Sequence, residues 1–158
     1  MNNKGFTLIE MVVVIILLGI LAITAAPRFL GLATDARIAT LDGFSASFEV
    51  ANELIHSKTI MNGLEDSKET VILPGTNISV NNGYMLLKQE SIDEAMDLSG
   101  VSFTFYSDGK EAYFYLGEVA KYPEHIQKEQ CYVHIQRTID PATSQLFPPV
   151  VIKNYQGC

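Results

Sequence analysis

Glu10 is the only ionisable residue in an otherwise apolar stretch that runs from Phe6 to Ala26. A helix rises about 1.5 Å per residue, so this stretch would extend roughly 31 Å, which matches the hydrocarbon core of a bilayer. A carboxylate inside such a span costs on the order of a few kcal/mol and therefore usually has a partner or a function. Glu10 is the first candidate for chemistry in this chain.

The polar residues 1–5 that precede the stretch end at Gly5. A conventional secretory signal has an apolar region of about 7–15 residues with a small-residue cleavage site after it. Here the apolar region is longer, and Pro27 follows the nearest small residues on its far side, which makes a poor cleavage site. Cleavage after Gly5, at the polar-to-apolar boundary, would instead remove residues 1–5 and retain the apolar segment.

Such cleavage would give Phe6 a positively charged α-amine, one helical turn before Glu10 and on nearly the same face. Glu10 could pair with this amine or with the amine of a neighbouring subunit. An intersubunit pair would fix the axial register, because a one-turn slip leaves two uncompensated charges in dry surroundings. The alternative is that Glu10 only reaches toward lipid headgroups near the start of the helix.

Cys131 and Cys158 are the only cysteines in the chain. In an exported protein such a pair favours a disulfide, which the chain-entropy relation values at roughly 3.5 kcal/mol for this spacing. The alternative is a metal site, because Cys131 and His134 have a C-x-x-H spacing. That fragment supplies only two ligands, and in a strand the two side chains would face opposite sides. We expect the disulfide and no metal.

No pattern in the sequence is typical of an enzyme. The three histidines lie in separate segments without a nucleophile motif beside them, and no phosphate-binding glycine loop occurs. The paired acids are best explained as solvated surface charge, with a calcium site as the alternative; their spacing is sparser than oxygen coordination of calcium favours. We predict no catalytic residue and no cofactor. The residues concerned are His56, His125, His134, Glu65-Asp66 and Asp93-Glu94.

The chain carries a formal net charge of −7 and has a pI near 4.8. An acidic protein is a poor binder of nucleic-acid backbones, so no nucleic acid is expected as a partner. Four spaced cations could still form a local basic patch, although a solvated face is the simpler interpretation. These cations are Lys121, Lys128, Arg137 and Lys153.

The helix is expected to continue beyond Ala26. Pro27 removes a backbone donor and predicts a kink there, with Gly19 loosening the turns before it. Farther on, a one-sided apolar stripe predicts an amphipathic helix that packs on a globular domain and ends near Thr59–Asn62, with Gly63 as its stop. The stripe consists of Leu41, Phe44, Phe48, Ala51 and Ile55, and the polar residues off it are Asp42, Glu49, Asn52 and Glu53.

After Gly63 the pattern is mainly that of strands, and it predicts an antiparallel sheet laid across the distal half of the long helix. Asn81-Asn82-Gly83 and Ser107-Asp108-Gly109-Lys110 predict hairpin turns. A short helix is expected over Ser91 to Leu98, with Ser91 as its cap. The predicted strands are Val71–Leu73, Ile78–Val80, Tyr84–Leu87, Val101–Tyr106, Ala112–Leu116, Cys131–Ile139 and Pro148–Ile152.

The segment Gly5-Phe-Thr-Leu-Ile-Glu10 resembles the class III signal of type IV prepilins, and Gly19 to Leu30 resembles the MSHA-type pilins of marine Gram-negative bacteria. The close resemblance covers roughly residues 5 to 38. It implies that a prepilin peptidase cuts between Gly5 and Phe6 and that Phe6 becomes N-methylated. It also implies the α+β type IV pilin fold, in which a long N-terminal helix packs on an antiparallel sheet.

The resemblance further implies three parts: a leader (1–5), a transmembrane and filament-core helix (6–27), and a periplasmic or extracellular head (28–158). The subunit would first be anchored in the inner membrane with its N-terminus in the cytoplasm. Inner-membrane assembly machinery would then add it to other pilins in a helical filament. That filament would serve adhesion and biofilm formation. Glu10, Gly19 and Pro27 are the expected assembly residues. The alternatives are a type II secretion pseudopilin and a minor pilin whose head binds sugar, chitin or DNA.

Overall fold

The computed structural model describes residues 6–117 and 122–158, so the predicted leader, with Gly5, lies outside the described residues, as does Lys121. The chain forms two compact units that divide between Ala36 and Arg37. We call residues 6–36 the stem and residues 37–158 the head. The elements are α1 (Leu8–Met61), β1 (Val71–Ile72), β2 (Ser79–Asn81), β3 (Tyr84–Met85), α2 (Gln89–Ala95), β4 (Ser102–Tyr106), β5 (Glu111–Tyr115), α3 (Pro123–Glu129), β6 (Tyr132–Gln136) and β7 (Val150–Asn154). A long N-terminal helix followed by antiparallel sheets confirms the predicted α+β class.

Helix α1 runs from Leu8 to Met61 with Pro27 inside it. The predicted kink at Pro27 stays a prediction. The predicted end of the helix is confirmed: Gly63 has a φ of +66°, its N–H donates to the Ile60 carbonyl at 3.0 Å, and the Leu64 N–H donates to the Thr59 carbonyl at 2.9 Å. These two bonds form a Schellman motif, in which glycine adopts the left-handed conformation without steric cost.

The strands form two antiparallel sheets, with the orders β1-β2-β3 and β4-β5-β6-β7, where one sheet was expected. Both predicted hairpin turns are confirmed. Asn82 and Gly83 have φ values of +49° and +78°, and in the four-residue turn 107–110 Ser107, Asp108 and Gly109 have φ values of +54°, +55° and +80°. In the two-residue turn, positive φ at both positions gives the backbone twist that matches right-handed strands, which is why Asn-Gly predicts this turn well.

The predicted apolar stripe of α1 supplies one wall of the head's core. Leu41, Phe44, Phe48 and Ile55 are buried there, together with the inner faces of both sheets. The Phe44 ring lies 4.2 Å from the Phe114 ring of β5, centroid to centroid. Burial of each such large apolar side chain stabilises the fold by about 1.5–3 kcal/mol, so the head has a core of its own.

Three side chains occupy places that the sequence did not predict. Asn52, placed off the stripe, is buried, and so is Arg137, placed on a solvated cationic face. Ser91 does not cap α2: the helix begins at Gln89 with Lys88 at its N-cap, while the Ser91 hydroxyl accepts a bond from the Ser79 N–H at 2.9 Å. The side chain of Ser91 therefore joins α2 to β2 and does not start the helix.

Helix α3 was not predicted. Pro123 lies in its first turn, and Gln130 closes it with a left-handed φ of +55°. Ile126 of α3 is buried against Tyr113 and Tyr115, on the face of the four-stranded sheet opposite the core. The helix thus covers part of the sheet's outer face.

Candidate functional site

Thr7 and Glu10 build the start of α1 together. The Thr7 N–H and the Thr7 hydroxyl each donate to Oε2 of Glu10 at 2.8 Å. The Glu10 N–H in turn approaches the Thr7 hydroxyl oxygen at 3.3 Å. This is a capping box, in which a Thr and a Glu three residues later satisfy each other's backbone donors at the first turn of a helix. The spacing Thr-x-x-Glu was a readable signal for it, and the sequence reasoning missed Thr7.

The large apolar side chains from Phe6 to Ile23 are not buried by other residues of the stem. Every large apolar residue from Phe6 to Ile23 is exposed, from 39% at Val12 to 83% at Phe6. Helix α1 contains a segment long and apolar enough to cross a membrane, judged by length and composition. Its Thr24 hydroxyl donates to the Leu21 carbonyl at 2.9 Å, so this polar group is satisfied within the helix. The surface is suited to lipid or to other helices.

The predicted site residues are distributed along the stem. Phe6 precedes the first residue of α1 by two positions, and Glu10 lies in the first turn of that helix. Gly19 and Pro27 lie farther along the same helix, and a Cβ placed on Gly19 would meet no atom within 4 Å. Packing within the described chain therefore gives no reason for a glycine at position 19.

The comparisons with known proteins show similarity in the N-terminal segment. Residues 1–26 match the family model described as "Prokaryotic N-terminal methylation motif". The chain is also 45% identical over 51 residues to the type IV narrow pilus major component PilA5 of Thermus thermophilus, a match that covers 32% of this chain and 44% of that relative. The N-terminal part of the chain is therefore similar to a type IV pilin, and the chain spans less than half of that relative's length. No solved structure matches the chain.

The head contains the expected disulfide. Cys131 and Cys158 are bonded, with their Cα atoms 4.8 Å apart. They lie just beyond the Tyr132–Asn154 pair that ends the β6–β7 ladder, so the bond closes this hairpin at its open end. The alternative metal site is excluded for Cys131 because its sulfur is in the disulfide.

Gly157 fits tightly beside α3. Its N–H donates to the Gln130 carbonyl at 2.9 Å. A Cβ added at Gly157 would overlap the Glu129 carbonyl oxygen, which belongs to the rigid backbone. Residue 157 must therefore be glycine for the chain to pass this close to α3.

Arg137 is the main polar connection inside the head. Its Nε donates to the Phe147 carbonyl at 2.9 Å, its Nη1 to the Tyr84 carbonyl at 3.2 Å, and its Nη2 to the Asn81 carbonyl at 2.9 Å. A longer contact of 3.4 Å joins Nη2 to the Leu146 carbonyl. Burial lowers the pKa of Arg137 to about 10, while Tyr84 opposes that shift. The buried guanidinium thus joins the β2–β3 hairpin of the three-stranded sheet to the loop between β6 and β7 of the four-stranded sheet.

The same hairpin is also fixed to α1. The Gly83 carbonyl accepts bonds from His56 Nδ1 at 2.8 Å and from the Thr59 hydroxyl at 2.9 Å. The His56 ring stacks on the Tyr84 ring, with centroids 4.1 Å apart. A Cβ on Gly83 would approach His56 Nδ1 at 2.9 Å, so the turn glycine is required both for its positive φ and for this contact.

Asp42 joins α1 to the end of the four-stranded sheet. Its Oδ1 accepts bonds from Lys153 Nζ at 2.7 Å and from the Tyr155 hydroxyl at 2.8 Å. These two bonds, Lys153 first, lower the pKa of Asp42 below its usual value. Burial, followed by the bond to Asp42, raises the pKa of Tyr155. Because Asp42 is exposed to solvent, the contact orients the C-terminal segment more than it stabilises the fold.

His134 Nε2 and Glu111 Oε1 lie 2.8 Å apart and form an ion pair only when His134 is protonated. Burial lowers the pKa of His134, and Glu111 opposes that shift. The imidazole stacks on the Tyr113 ring, with centroids 4.2 Å apart. Among residues 6–117 and 122–158, no group of three or more His, Cys, Asp or Glu side chains is placed to hold a metal ion. The pair is a side-chain contact on the outer face of the sheet.

Proposed function

We propose that this chain is a structural subunit of a type IV pilus that polymerises through its stem into a surface filament. One observation carries the proposal: every large apolar side chain of the stem from Phe6 to Ile23 is exposed, whereas the head buries enough large apolar side chains to form a core. Lipid can cover that surface in the inner membrane, and the stems of other copies can cover it in a filament. Movement from one environment to the other exchanges lipid contacts for helix packing.

Processing precedes assembly in this proposal. A prepilin peptidase cuts between Gly5 and Phe6, and Phe6 becomes N-methylated; the match of residues 1–26 to the methylation motif supports both steps. The leader is then lost with its Lys4, and the stem remains as the anchor. The processed chain keeps its N-terminus at the cytoplasmic side until the assembly machinery of the inner membrane takes it up.

Glu10 has the central role in assembly. Cleavage provides a charged α-amine at Phe6, and Glu10 of one copy pairs with the amine of a neighbouring copy between packed stems. Removal of one partner from a buried ion pair typically costs about 3–5 kcal/mol, because the other charge stays buried without compensation. Gly19 and Pro27 are proposed to ease local loss of helicity when the stems pack.

The decisive experiment is mass spectrometry of filaments sheared from intact cells, beside immunoblots of a Glu10→Ala strain. We expect abundant chains that begin at methylated Phe6 in the wild type, and processed but unassembled chains in the variant. Normal filament numbers in the Glu10→Ala strain would remove the assembly role of Glu10. Absence of this chain from wild-type filaments would favour a pseudopilin of type II secretion.

The finer assignment is an MSHA-like pilus for adhesion and biofilm formation, and it is supported by the resemblance of Gly19 to Leu30. The head adds a suitable surface. Ile139, Phe147, Val150 and Ile152 are exposed, and no charged residue occurs from 141 to 152 in this acidic chain. An exposed apolar surface of this kind is typical of an interaction site.

Substitution of Phe147 by Ser tests the attachment role. Phe147→Ser is expected to leave the filament yield unchanged and to reduce the number of cells retained on an apolar surface. Ile72→Ser is the matched control, because Ile72 is an exposed apolar residue in the other sheet. Equal retention of the two variants would argue against attachment through residues 139–152.

A further inference from the structure

We propose that Thr7 is a positioning residue for assembly: it holds one oxygen of the Glu10 carboxylate and leaves the other for the α-amine that cleavage frees. This inference rests on the proposed role of Glu10 and adds a residue to it. Both donors of Thr7 contact Oε2. Oε1 of Glu10 forms no hydrogen bond with any residue that the structure describes.

The Thr7 hydroxyl is oriented by the backbone. It lies within 3.3 Å of the Glu10 N–H, from which it accepts, and it donates its own hydrogen to Oε2 at 2.8 Å. With its acceptor side turned to the Glu10 N–H, the hydroxyl directs its hydrogen at the carboxylate. A carboxylate held by a backbone N–H and by an oriented hydroxyl has little rotational freedom left.

Two consequences follow for a carboxylate in an apolar segment. Thr7 donates two charge-assisted hydrogen bonds to Glu10. These bonds offset part of the free energy that the carboxylate loses when it leaves water and the stem is in lipid. They also order a flexible side chain before it meets the amine. The entropy of ordering Glu10 is therefore lost when the helix start forms, and pairing with the amine does not require that loss again.

In this proposal the two carboxylate oxygens of Glu10 have different partners, Thr7 for Oε2 and the amine for Oε1. If the amine had to displace Thr7 from Oε2, pairing would exchange one partner for another. Because Oε1 is available, the amine adds to the existing bonds and the capping box stays intact. Thr7 thus acts through Glu10 and has no direct contact with the neighbouring copy in this proposal.

The test compares Thr7→Val, which replaces the hydroxyl by a methyl group, with Thr7→Ser, which keeps the hydroxyl. Thr24→Val is the matched control, because Thr24 is a threonine of the same stem whose hydroxyl bonds only its own helix. We expect Thr7→Val to lower the yield of sheared filaments about tenfold, as expected for loss of a hydrogen bond to a charged group. Thr7→Ser and Thr24→Val should keep the wild-type yield, and mass spectrometry should show complete leader removal in all three.

A double variant separates positioning from a general effect on the helix start. If Thr7 acts through Glu10, Thr7→Val adds no further loss to Glu10→Gln, whereas independent roles give losses that multiply. Wild-type yield in Thr7→Val, failure of Thr7→Ser, or multiplied losses in the double variant would each overturn the inference. If Glu10→Gln itself assembles normally, the proposed role of Glu10 fails; if Glu10→Gln fails and Thr7→Val assembles, only the inference about Thr7 fails.

Discussion

The stem and the head differ in the reach of their side-chain hydrogen bonds. In the stem the bonds of Thr7, Glu10 and Thr24 are local. The head has local bonds as well, such as that from Ser57 to Glu53, and adds bonds between residues far apart in the chain, as from Arg137 to Asn81 and from Lys153 to Asp42. The large apolar residues differ too, since those from Phe6 to Ile23 are all exposed, whereas many of those in the head form a core.

The difference indicates what each region depends on. The head carries its own core, a disulfide and a buried cation, so its stability is internal. The stem is a helix in which Thr7, Glu10 and Thr24 form hydrogen bonds within the helix, and its apolar surface from Phe6 to Ile23 still requires lipid or other helices to cover it. A long apolar helix in water without such an environment would expose a surface that favours association. Substitutions in the two regions should therefore fail in different ways.

The largest expected effect comes from the same substitution placed in each region of α1. Val14 in the stem is 50% exposed and Val50 in the head is 61% exposed. Asp at the centre of a membrane helix costs about 2.5–3.5 kcal/mol, and in packed stems it would have no partner. We expect Val14→Asp to abolish filaments and Val50→Asp to leave the chain membrane-anchored and folded, as measured by fractionation and sheared-filament yield. Filament formation by the Val14→Asp variant would contradict the claim that assembly requires an apolar surface on the stem.

Next in size is the loss of the buried cation in the head. Arg137→Met would leave carbonyl groups without donors, and a buried unpaired polar group costs about 1–3 kcal/mol, so we expect a loss of about 3 kcal/mol in the free energy of unfolding. Arg137→Lys should not restore it, because a single ammonium cannot reproduce the planar fork of donors. The measurement is urea unfolding of the disulfide-bonded protein in detergent. The control is Lys128→Met, at an exposed position of α3, which should unfold like the wild type.

The smallest effect concerns pH and the contact of Asp42 with Lys153. A carboxyl group whose pKa is lowered in the folded state contributes stability above its unfolded pKa, near 3.8, and loses that contribution as the pH falls through the folded pKa. Asp42→Asn should therefore reduce the loss of stability on acidification below about pH 4. Thermal unfolding at a series of pH values measures it, and Glu53→Gln, at an exposed acid on the same helix, is the control. Parallel profiles for Asp42→Asn and the wild type would contradict the expectation.

The features that could be predicted from the sequence are those that local chemistry determines. Gly63 ends α1 and Asn82-Gly83 forms a turn because few residue types accept a positive φ. The apolar stripe of α1 predicted its buried face, and Cys131 and Cys158 had no other cysteine to pair with. The signals for α3 and for the capping box were also local, in Pro123 at a first turn and in the spacing of Thr7 and Glu10.

The burial of Arg137 had no such signal. Its acceptors are backbone carbonyls of Asn81, Tyr84, Leu146 and Phe147, and a carbonyl is present in every residue, so the residue types around a cation do not reveal it. Asn52 is similar, since it lies at the margin of an apolar stripe and is nevertheless buried. In both cases tertiary contacts outweigh what polarity predicts.

The disulfide also limits how far the head can be drawn out under tension. In a single-molecule measurement with force applied at Arg37 and Cys158, an oxidised head that unfolds extends along the chain only as far as Cys131 and then crosses the sulfur bridge. The two cysteines are 27 residues apart. At about 3.4 Å per residue, reduction of the bond releases roughly 90 Å of additional contour length. The hairpin of β6 and β7 therefore behaves as a closed loop of fixed length.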